Sequence, residues 1–326
     1  MNLIQRLKTA TYITLAVGAL ALATSAAARG LEGRIAYSRS ENGNDEIFTM
    51  NADGTKKTNV SNHPANDWHP SFSPDGQQIV FASNRSGNHL DRDIYVMDSD
   101  GSSQVNLTNN QSSNYSPDWS PDGTRIAYES SEGGNVDVWV MGADGSNRRN
   151  LTNFQSGLDY YPTWPPDSQR IAFTSIGRDW STLPAIYVMD SNGSNVELIS
   201  ERLTDADRFP AWSPTGDLIA YQSIILLGED IVTMTPRGTK LDILTVSNIK
   251  QYQPFWSPDG EYIAFTSNMD GIGGNDIYVM DRSGDIVARL TQGTKIHHAG
   301  SWTPHPLEVN PQGRMPTQWN YLKAPR

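Results

Sequence analysis

An internal repeat of six copies limits what this chain of 326 residues can fold into more than any other feature. Each copy has a proline two residues after an aromatic residue, and successive prolines are 44 to 48 residues apart. These prolines are Pro74, Pro121, Pro166, Pro214, Pro258 and Pro304. Six of the nine methionines mark the same copies, each followed by a glycine four residues later. A fixed period of this length indicates one supersecondary unit stacked on copies of itself.

The best-formed copy, residues 252–291, has four short apolar segments separated by turn residues, which predicts four antiparallel strands. The second segment is apolar at nearly every position, as in residues 79–82, so neighbouring sheets are expected to cover both of its faces. A four-stranded unit of about 46 residues that repeats radially is the blade of a β-propeller.

The two ends of the repeat predict how the ring closes. The first copy starts with a second strand at residues 34–37, and the last inner strand, at 301–304, has no successor. We therefore predict an all-β fold: a six-bladed β-propeller of four-stranded antiparallel blades. Its ring is closed by the C-terminal inner strand, which joins the N-terminal blade.

Most aspartates of the repeat stand where the chain must turn. Ser-Pro-Asp-Gly at 73–76, 120–123 and 257–260 is predicted to join strands one and two, because proline fixes φ and glycine accepts positive φ. Asp-Gly or Asn-Gly pairs are predicted to close the hairpin between strands three and four. Asp98, Asp100 and Gly101 resemble the start of a calcium-binding loop, but the later ligand positions are absent, so we interpret them as a turn.

Residues 1–28 have the features of a secretory signal peptide, namely Arg6 and Lys8, a short apolar run, and small residues up to Ala28. The run is shorter than the ~20 residues that span a bilayer. We expect a signal peptide at 1–28, a propeller at 29–304 and a C-terminal tail at 305–326, whose aromatic residues favour docking. Without cysteine, the chain has no disulfide and no lipoprotein attachment site. A periplasmic or secreted monomer with no membrane span after cleavage is expected.

Charge and missing motifs exclude several function classes. The formal charge of −11 becomes −13 without residues 1–28, which disfavours nucleic-acid binding. The chain has no G-x-S-x-G, H-E-x-x-H or phosphate-binding glycine motif and no cysteine nucleophile, so we predict that it is not an enzyme. The alternative is a lyase or glycosidase with a carboxylate pair drawn from Asp159, Asp179, Asp207 and Glu229.

The unit P-x-W-S-P-D-G-x-x-I-A-F-x-S, followed by D-I-Y-V-M-D-x-D-G and L-T, resembles the WD-like repeat of the TolB-type six-bladed β-propeller family. The resemblance covers about residues 34–304. It implies an exported, non-catalytic scaffold that binds a protein or peptide partner in the cell envelope. The α/β domain that precedes the propeller in TolB-type proteins has no counterpart before Arg34. The alternative function is a carbohydrate-active enzyme or sugar-binding propeller with its site in the channel.

The direction of the strands places each connection between them on one of the two faces of the propeller. The Ser-Pro-Asp-Gly and Asp-Gly turns lie on one face, here called the turn face, and the other connections lie on the opposite, loop face. The connections of the loop face vary among copies, so binding specificity is expected there. Residues just before each inner strand are predicted to ring the channel mouth on this face, where aromatic and polar side chains suit a peptide or sugar chain. Alternatively, half of these rings pack against the neighbouring blade. The predicted binding residues are Asp67, Trp68, His69, Tyr115, Asp159, Tyr160, Asp207, Arg208, Tyr252, Gln253, His297 and His298.

Four of these residues form a candidate metal site. Because the last inner strand joins the first blade, His297 and His298 are expected one blade away from Asp67 and His69, at the same level of the ring. Imidazole and carboxylate groups that converge on a channel are suitable ligands for zinc or another divalent ion. The alternative is separate, hydrogen-bonded histidines. No other cofactor is expected.

Overall fold

The computed structural model describes residues 30–304, except 42, 87–90, 179–180, 201–205, 226–227, 240, 247–248, 272 and 294. The predicted signal peptide at 1–28 and the predicted tail at 305–326 lie outside the described residues. So does Asp179. The regular elements of the described part are 24 strands, numbered in chain order, in six sheets. No helix in that part is long and apolar enough to cross a bilayer.

The strands of the first three blades follow the chain from Arg34. Blade 1 contains β1 (Arg34–Glu41), β2 (Asn44–Asn51) and β3 (Thr58–Asn59). Blade 2 contains β4 (Asp67–Phe72), β5 (Gln78–Ser83), β6 (Asp93–Asp98) and β7 (Val105–Asn106). Blade 3 contains β8 (Asn114–Trp119), β9 (Arg125–Ser130), β10 (Asp137–Gly142) and β11 (Arg149–Asn150).

The remaining three blades repeat the same arrangement. Blade 4 contains β12 (Leu158–Thr163), β13 (Arg170–Ile176), β14 (Ala185–Asp190) and β15 (Glu197–Leu198). Blade 5 contains β16 (Asp207–Trp212), β17 (Ile219–Ile225), β18 (Gly228–Met234) and β19 (Asp242–Ile243). Blade 6 contains β20 (Gln251–Trp256), β21 (Tyr262–Ser267), β22 (Asp276–Asp281) and β23 (Ile286–Arg289). The last strand is β24 (His297–Thr303).

Strand β24 closes the ring as the sequence predicted. It pairs antiparallel with β1, with Trp302 opposite Ile35, so the sheet order of blade 1 is β24-β1-β2-β3. The inner strands β4, β8, β12, β16, β20 and β24 each contact the next, and β24 contacts β4. The predicted all-β, six-bladed fold and its closure are therefore confirmed.

The core lies between the blades, because the second and third strands of each sheet are buried on both faces. Ile35, Ile79, Ile126, Ile171, Ile219 and Ile263 are all completely buried, as are most residues beside them. The outermost strands are only two to four residues long. Such short edges give other chains little to pair with.

The glycine of each turn between strands three and four packs against the preceding blade. A Cβ added to Gly101 would lie 2.2 Å from the carbonyl oxygen of Val60, closer than any real Cβ approaches such an atom. The corresponding glycines face carbonyl oxygens of residues that directly follow the fourth strand of the preceding blade. They are Gly54, Gly145, Gly193, Gly238 and Gly284, and the carbonyls belong to Leu290, Leu107, Leu151, Ile199 and Leu244. These glycines therefore serve inter-blade packing as well as the positive φ of the turn.

Candidate functional site: the channel along the propeller axis

A cavity of about 860 Å³ runs along the axis of the ring and is lined by residues from all six inner strands. Each inner strand is both the edge of its sheet and the site of a bulge. Proline is tolerated at such positions because no ladder hydrogen bond is lost there. Pro70, Pro117, Pro162, Pro210 and Pro254 occupy this position in five blades, and Gly300 occupies it in blade 1.

Three successive positions before that proline form three layers near the loop face. The buried layer consists of Asp67, Asn114, Asp159, Asp207, Gln251 and His297. The mouth layer consists of Trp68, Tyr115, Tyr160, Arg208, Tyr252 and His298. The channel layer consists of His69, Ser116, Tyr161, Phe209 and Gln253. The sequence placed these residues before the inner strands, whereas the structure has them inside the strands, which pair further towards the loop face than predicted.

Side chains of the buried layer bind residues that lie outside the inner strands. All six residues are at most 4% exposed. Asp67 forms a 2.7 Å salt bridge with Arg85, and Asp159 forms one of the same length with Arg178. Asp207 accepts a hydrogen bond from the Ser223 hydroxyl at 2.6 Å. These carboxylates, predicted to ring the mouth, are instead held inside the blades because arginine and serine side chains of the same blades bind them.

Each residue of the mouth layer is half-buried, so each blade exposes part of one such side chain. The Trp68 indole N–H donates to Asp45 of blade 1 at 2.6 Å, and the Trp68 ring lies 6.4 Å from the Tyr115 ring of blade 3. The Arg92 guanidinium stacks over both rings, 4.9 Å from Trp68 and 4.2 Å from Tyr115. Some of these aromatic rings thus pack against neighbouring blades and still expose part of their surface at the loop face.

Residues of the channel layer have an unusual backbone conformation. His69, Ser116, Tyr161, Phe209 and Gln253 all have φ between 45° and 54°, and the register of each inner strand shifts at this point. A bulge of this kind re-aims a side chain, and here it turns the channel layer towards the axis. The conformation repeats while the side chains differ, so the bulge belongs to the fold and the side chains give each blade its own chemistry.

Glu129 is a site residue that the sequence analysis missed. It lies opposite Tyr115 on β9 and is 5% exposed. Its carboxylate accepts the backbone N–H of Tyr161 in blade 4 at 2.8 Å and a hydrogen bond from Ser116. Burial raises the pKa of Glu129 to about 7, although both hydrogen bonds lower it. The signal in the sequence was a departure from the repeat, since Ala82, Thr174, Gln222 and Thr266 stand at this position elsewhere.

Asp118 is a second missed residue and lies on the channel wall, two residues beyond Ser116. It takes part in a belt of hydrogen bonds between inner strands. Ser301 accepts the backbone N–H of Phe72 at 2.9 Å, Ser71 accepts that of Trp119 at 3.3 Å, and Asp118 accepts that of Trp164 at 2.9 Å. Burial raises the pKa of Asp118 to about 6, although hydrogen bonds from Trp164, Ser71 and Thr163 lower it.

The four residues of the predicted metal site separate into different environments. His297 is buried in blade 1, where its ring contacts Asp276 and the carbonyl of Asn275, while Asp67 binds Arg85. His69 and His298 lie near the channel, paired with Ser116 and with Gln253, each at 3.2 Å. Burial and the neighbouring His298 lower the pKa of His69 to about 4. Among the described residues, no three His, Asp or Glu side chains are placed to share a metal ion.

The carboxylates considered for a glycosidase pair also have separate partners. Asp159 binds Arg178 and Asp207 binds Ser223, so both carboxylates are engaged inside blades 4 and 5. Glu229 accepts a hydrogen bond from Gln222 at 2.9 Å and lies 3.8 Å from the Lys250 ammonium. Asp159 and Asp207 are therefore poorly placed to present two carboxylates to a sugar in the channel.

A family model described as the TolB beta propeller domain matches residues 4–115 and 91–252. A search of curated protein sequences finds no match.

Solved structures share the fold at low sequence identity. TolB from Acinetobacter baumannii is 20% identical with a TM-score of 0.72, over 83% of this chain and 67% of that one. A structure from Agrobacterium tumefaciens assigned to TolB is 19% identical with a TM-score of 0.65, over 84% of this chain and 100% of that one. An oligogalacturonate lyase in complex with manganese is 14% identical with a TM-score of 0.54, over 80% of this chain and 74% of that one. At these identities the likeness concerns the fold alone.

Proposed function

Because this chain belongs to the TolB β-propeller family, we propose that it is an exported, non-catalytic scaffold that binds a protein or peptide partner in the cell envelope. The partner binds at the loop face, over the mouth layer. One observation carries the proposal: each blade contributes one half-buried side chain to a ring around the channel, and four of the six are Trp68, Tyr115, Tyr160 and Tyr252. Aromatic residues held in place by neighbours give contact area at low entropic cost and are frequent anchors of interfaces.

Two further features support binding over catalysis. The repeated aspartates bind their own turns, as Asp75 does through Ser73 at 2.6 Å and the N–H of Gln77 at 3.0 Å. Near the loop face, Asp67 and Asp159 are paired with arginine and Asp207 with serine. The variable chemistry is thus concentrated at the mouth and in the channel layer, where a partner has access.

A capture experiment from envelope extract tests the proposal. The full-length protein is immobilised, and bound proteins are identified by mass spectrometry for wild type, Trp68→Ala, Tyr160→Ala and Arg208→Gln. Arg237→Gln is the matched control for Arg208→Gln, because Arg237 is exposed in a hairpin turn on the turn face and its loss changes the net charge equally. We expect a protein partner whose recovery falls at least tenfold with the three mouth variants and not with Arg237→Gln.

Equal recovery by all four variants would place the interface away from the mouth and contradict the proposal. If no protein is captured, a screen of oligosaccharides tests the alternative function. Turnover of any of them would show a carbohydrate-active enzyme, and binding without turnover would show a sugar-binding propeller.

The envelope location rests on the predicted signal peptide at residues 1–28. Expression of the full-length chain in a Gram-negative host, followed by cell fractionation and mass spectrometry, tests it. We expect the mature protein in the periplasmic or secreted fraction with a first residue near Arg29. A cytoplasmic protein that keeps Met1 and the following residues would contradict the proposed location.

A further inference from the structure

The charges on the channel wall have one sign. The described residues that line the cavity include two carboxylates, Asp118 and Asp167, and no lysine or arginine. Asp167 is exposed at the turn face, where it accepts the N–H of Gln169 at 2.9 Å within its own turn. Asp118 lies inside the channel and is partly exposed to it. A ligand that enters the channel from the loop face therefore meets the Asp118 carboxyl beyond the channel layer.

The groups that hold Asp118 in place are all neutral. The backbone N–H of Trp164 donates to one oxygen at 2.9 Å, and the Ser71 hydroxyl donates to the other at 3.2 Å. Among the described residues, Asp118 forms no salt bridge, in contrast to Asp67 and Asp159 with their arginines. Thr163 is a third hydrogen-bond partner of Asp118. These three neutral groups fix the orientation of the carboxylate and leave its charge without a counter-ion. Such a group attracts a cation more strongly in a narrow channel than in bulk water.

Aromatic faces lie between the loop-face opening and Asp118. The rings of Tyr161 and Phe209, from neighbouring blades, have centroids 4.1 Å apart, and both line the cavity. Aromatic faces attract ammonium and guanidinium groups, and they pack well against the methylene stems of lysine and arginine. The wall thus combines an aromatic entry with a carboxylate two strand positions deeper.

We propose that the channel receives a lysine or arginine side chain of the partner, with Asp118 as the counter-ion and Tyr161 and Phe209 against its stem. This inference rests on the proposed function, because the cationic side chain belongs to the peptide or protein that binds the mouth. The net charge of −11, or −13 without residues 1–28, adds long-range attraction for a basic partner segment. An acidic side chain in the same place would meet Asp118 as an uncompensated like charge.

Selection of displayed random heptapeptides on the full-length protein tests the inference. We expect the selected peptides to be enriched in lysine or arginine relative to the input library. The same selection on Asp118→Asn should lose this enrichment. The amide introduced by this substitution can keep both contacts, because its oxygen can accept the Trp164 N–H while its nitrogen donates to Ser71.

Asp100→Asn is the matched control, with the same change in charge outside the channel. Asp100 accepts the N–H of Ser102 in a hairpin turn, and blade 4 has Asn192 in the equivalent position with the same bond to Ser194. The exchange is therefore compatible with the turn. Peptides selected on Asp100→Asn should keep the enrichment in basic residues.

A double-mutant cycle then measures the contact itself. Replacing the basic residue of the best peptide by norleucine should weaken its binding to wild type about tenfold or more. The same replacement should change the affinity for Asp118→Asn less than twofold. If Asp118→Asn does not fold, the norleucine comparison on wild type decides alone.

Peptides without basic enrichment, or with enrichment that persists in Asp118→Asn, would overturn the inference and leave peptide binding intact. An equal loss of affinity with norleucine in wild type and in Asp118→Asn would also overturn it. If no peptide is selected at all, the inference fails, while the capture experiment decides separately on the proposed function.

Discussion

At the scale of single residues, the informative positions are those that depart from the repeat. Glu129 and Asp118 replace small or uncharged residues of the other blades, and both accept backbone N–H groups of blade 4. The surrounding strands bury the Glu129 carboxyl and cover much of the Asp118 carboxyl, and this burial raises the pKa of each. The contact between blades 3 and 4 therefore depends on two groups that titrate close to neutral pH.

The Glu129→Gln variant should have a different pH dependence of stability from wild type. The pKa of Glu129 is about 7 when folded, against 4.5 for an unperturbed glutamate. Between these values the folded state binds more protons than the unfolded state, so the contribution of Glu129 to stability rises as the pH falls from 8 to 5. The wild type should gain about 1–3 kcal/mol relative to Glu129→Gln over this range. Urea unfolding at several pH values measures the difference.

The other titratable groups near Glu129 are the same in wild type and in Glu129→Gln. His69 is connected to Glu129 through Ser116, and Tyr160, Tyr161 and Arg208 lie on the neighbouring inner strands. All of them remain in the variant, so their titration cancels in the difference. Parallel stability curves for the two proteins would contradict the assignment of a raised pKa to Glu129.

The sequence predicted which residue types surround the mouth but not which ones are paired. Asp67 and Asp159 bind Arg85 and Arg178, which follow them along the chain by 18 and 19 residues. No local pattern indicates such a pairing, because it depends on where a variable loop returns to the sheet. Glu129 and Asp118 were visible as exceptions to the repeat, yet their burial follows only from the way adjacent blades pack.

At the scale of elements, turns and strands were predictable because each uses local chemistry. Ser-Pro-Asp-Gly forms the predicted turn, in which Ser120 donates to Asp122 at 2.7 Å and the N–H of Thr124 donates to the same carboxylate. The bulge of the inner strand was not predicted. It requires positive φ at residues such as Tyr161 and Phe209, which rarely adopt it, so the tertiary arrangement overrides local preference.

Two glycine substitutions should separate the turn from the packing between blades. Gly101 and Gly123 both have positive φ, at 93° and 75°, so alanine is strained at either site. Only Gly101 faces another blade, since a Cβ at Gly123 would have nothing within 4 Å among the described residues. We expect Gly123→Ala to cost about 1–2 kcal/mol of unfolding free energy and Gly101→Ala at least about 1–3 kcal/mol more. Chemical denaturation measures both. Equal losses of unfolding free energy would show that the close approach of residue 101 to Val60 does not affect stability.

At the scale of the whole molecule, the ring depends on one strand from the end of the described chain. Strand β24 supplies Trp302, which is 9% exposed and donates its indole N–H to the carbonyl of Glu32 at 2.8 Å. Gly300 lies where a Cβ would come within 2.4 Å of the Ala36 carbonyl oxygen. Blade 1 is thus incomplete without β24, and the strand order at the two ends of the repeat was enough to predict this.

A chain that ends at Ala299 should lose the closure of the ring. Removal of Trp302 and of the pairing of residues 301–303 with β1 should lower the melting temperature by about 10 °C or more. A chain that ends at Pro304 is the control, because it keeps β24 and lacks only the tail. Calorimetry of the two truncated proteins and the full chain makes the comparison. If the protein ending at Ala299 melts with the other two, the closure does not stabilise the ring.

Repeated residues build the propeller, and we propose that unshared residues at the loop face bind the partner. Amide hydrogen exchange of the full-length protein, alone and with the partner recovered by capture, tests this claim most directly. We predict that the partner slows exchange in residues 66–70, 114–117 and 206–210, around the mouth. Slowed exchange confined to the hairpin turns at 51–55, 98–102 and 142–146, on the turn face, would contradict the claim.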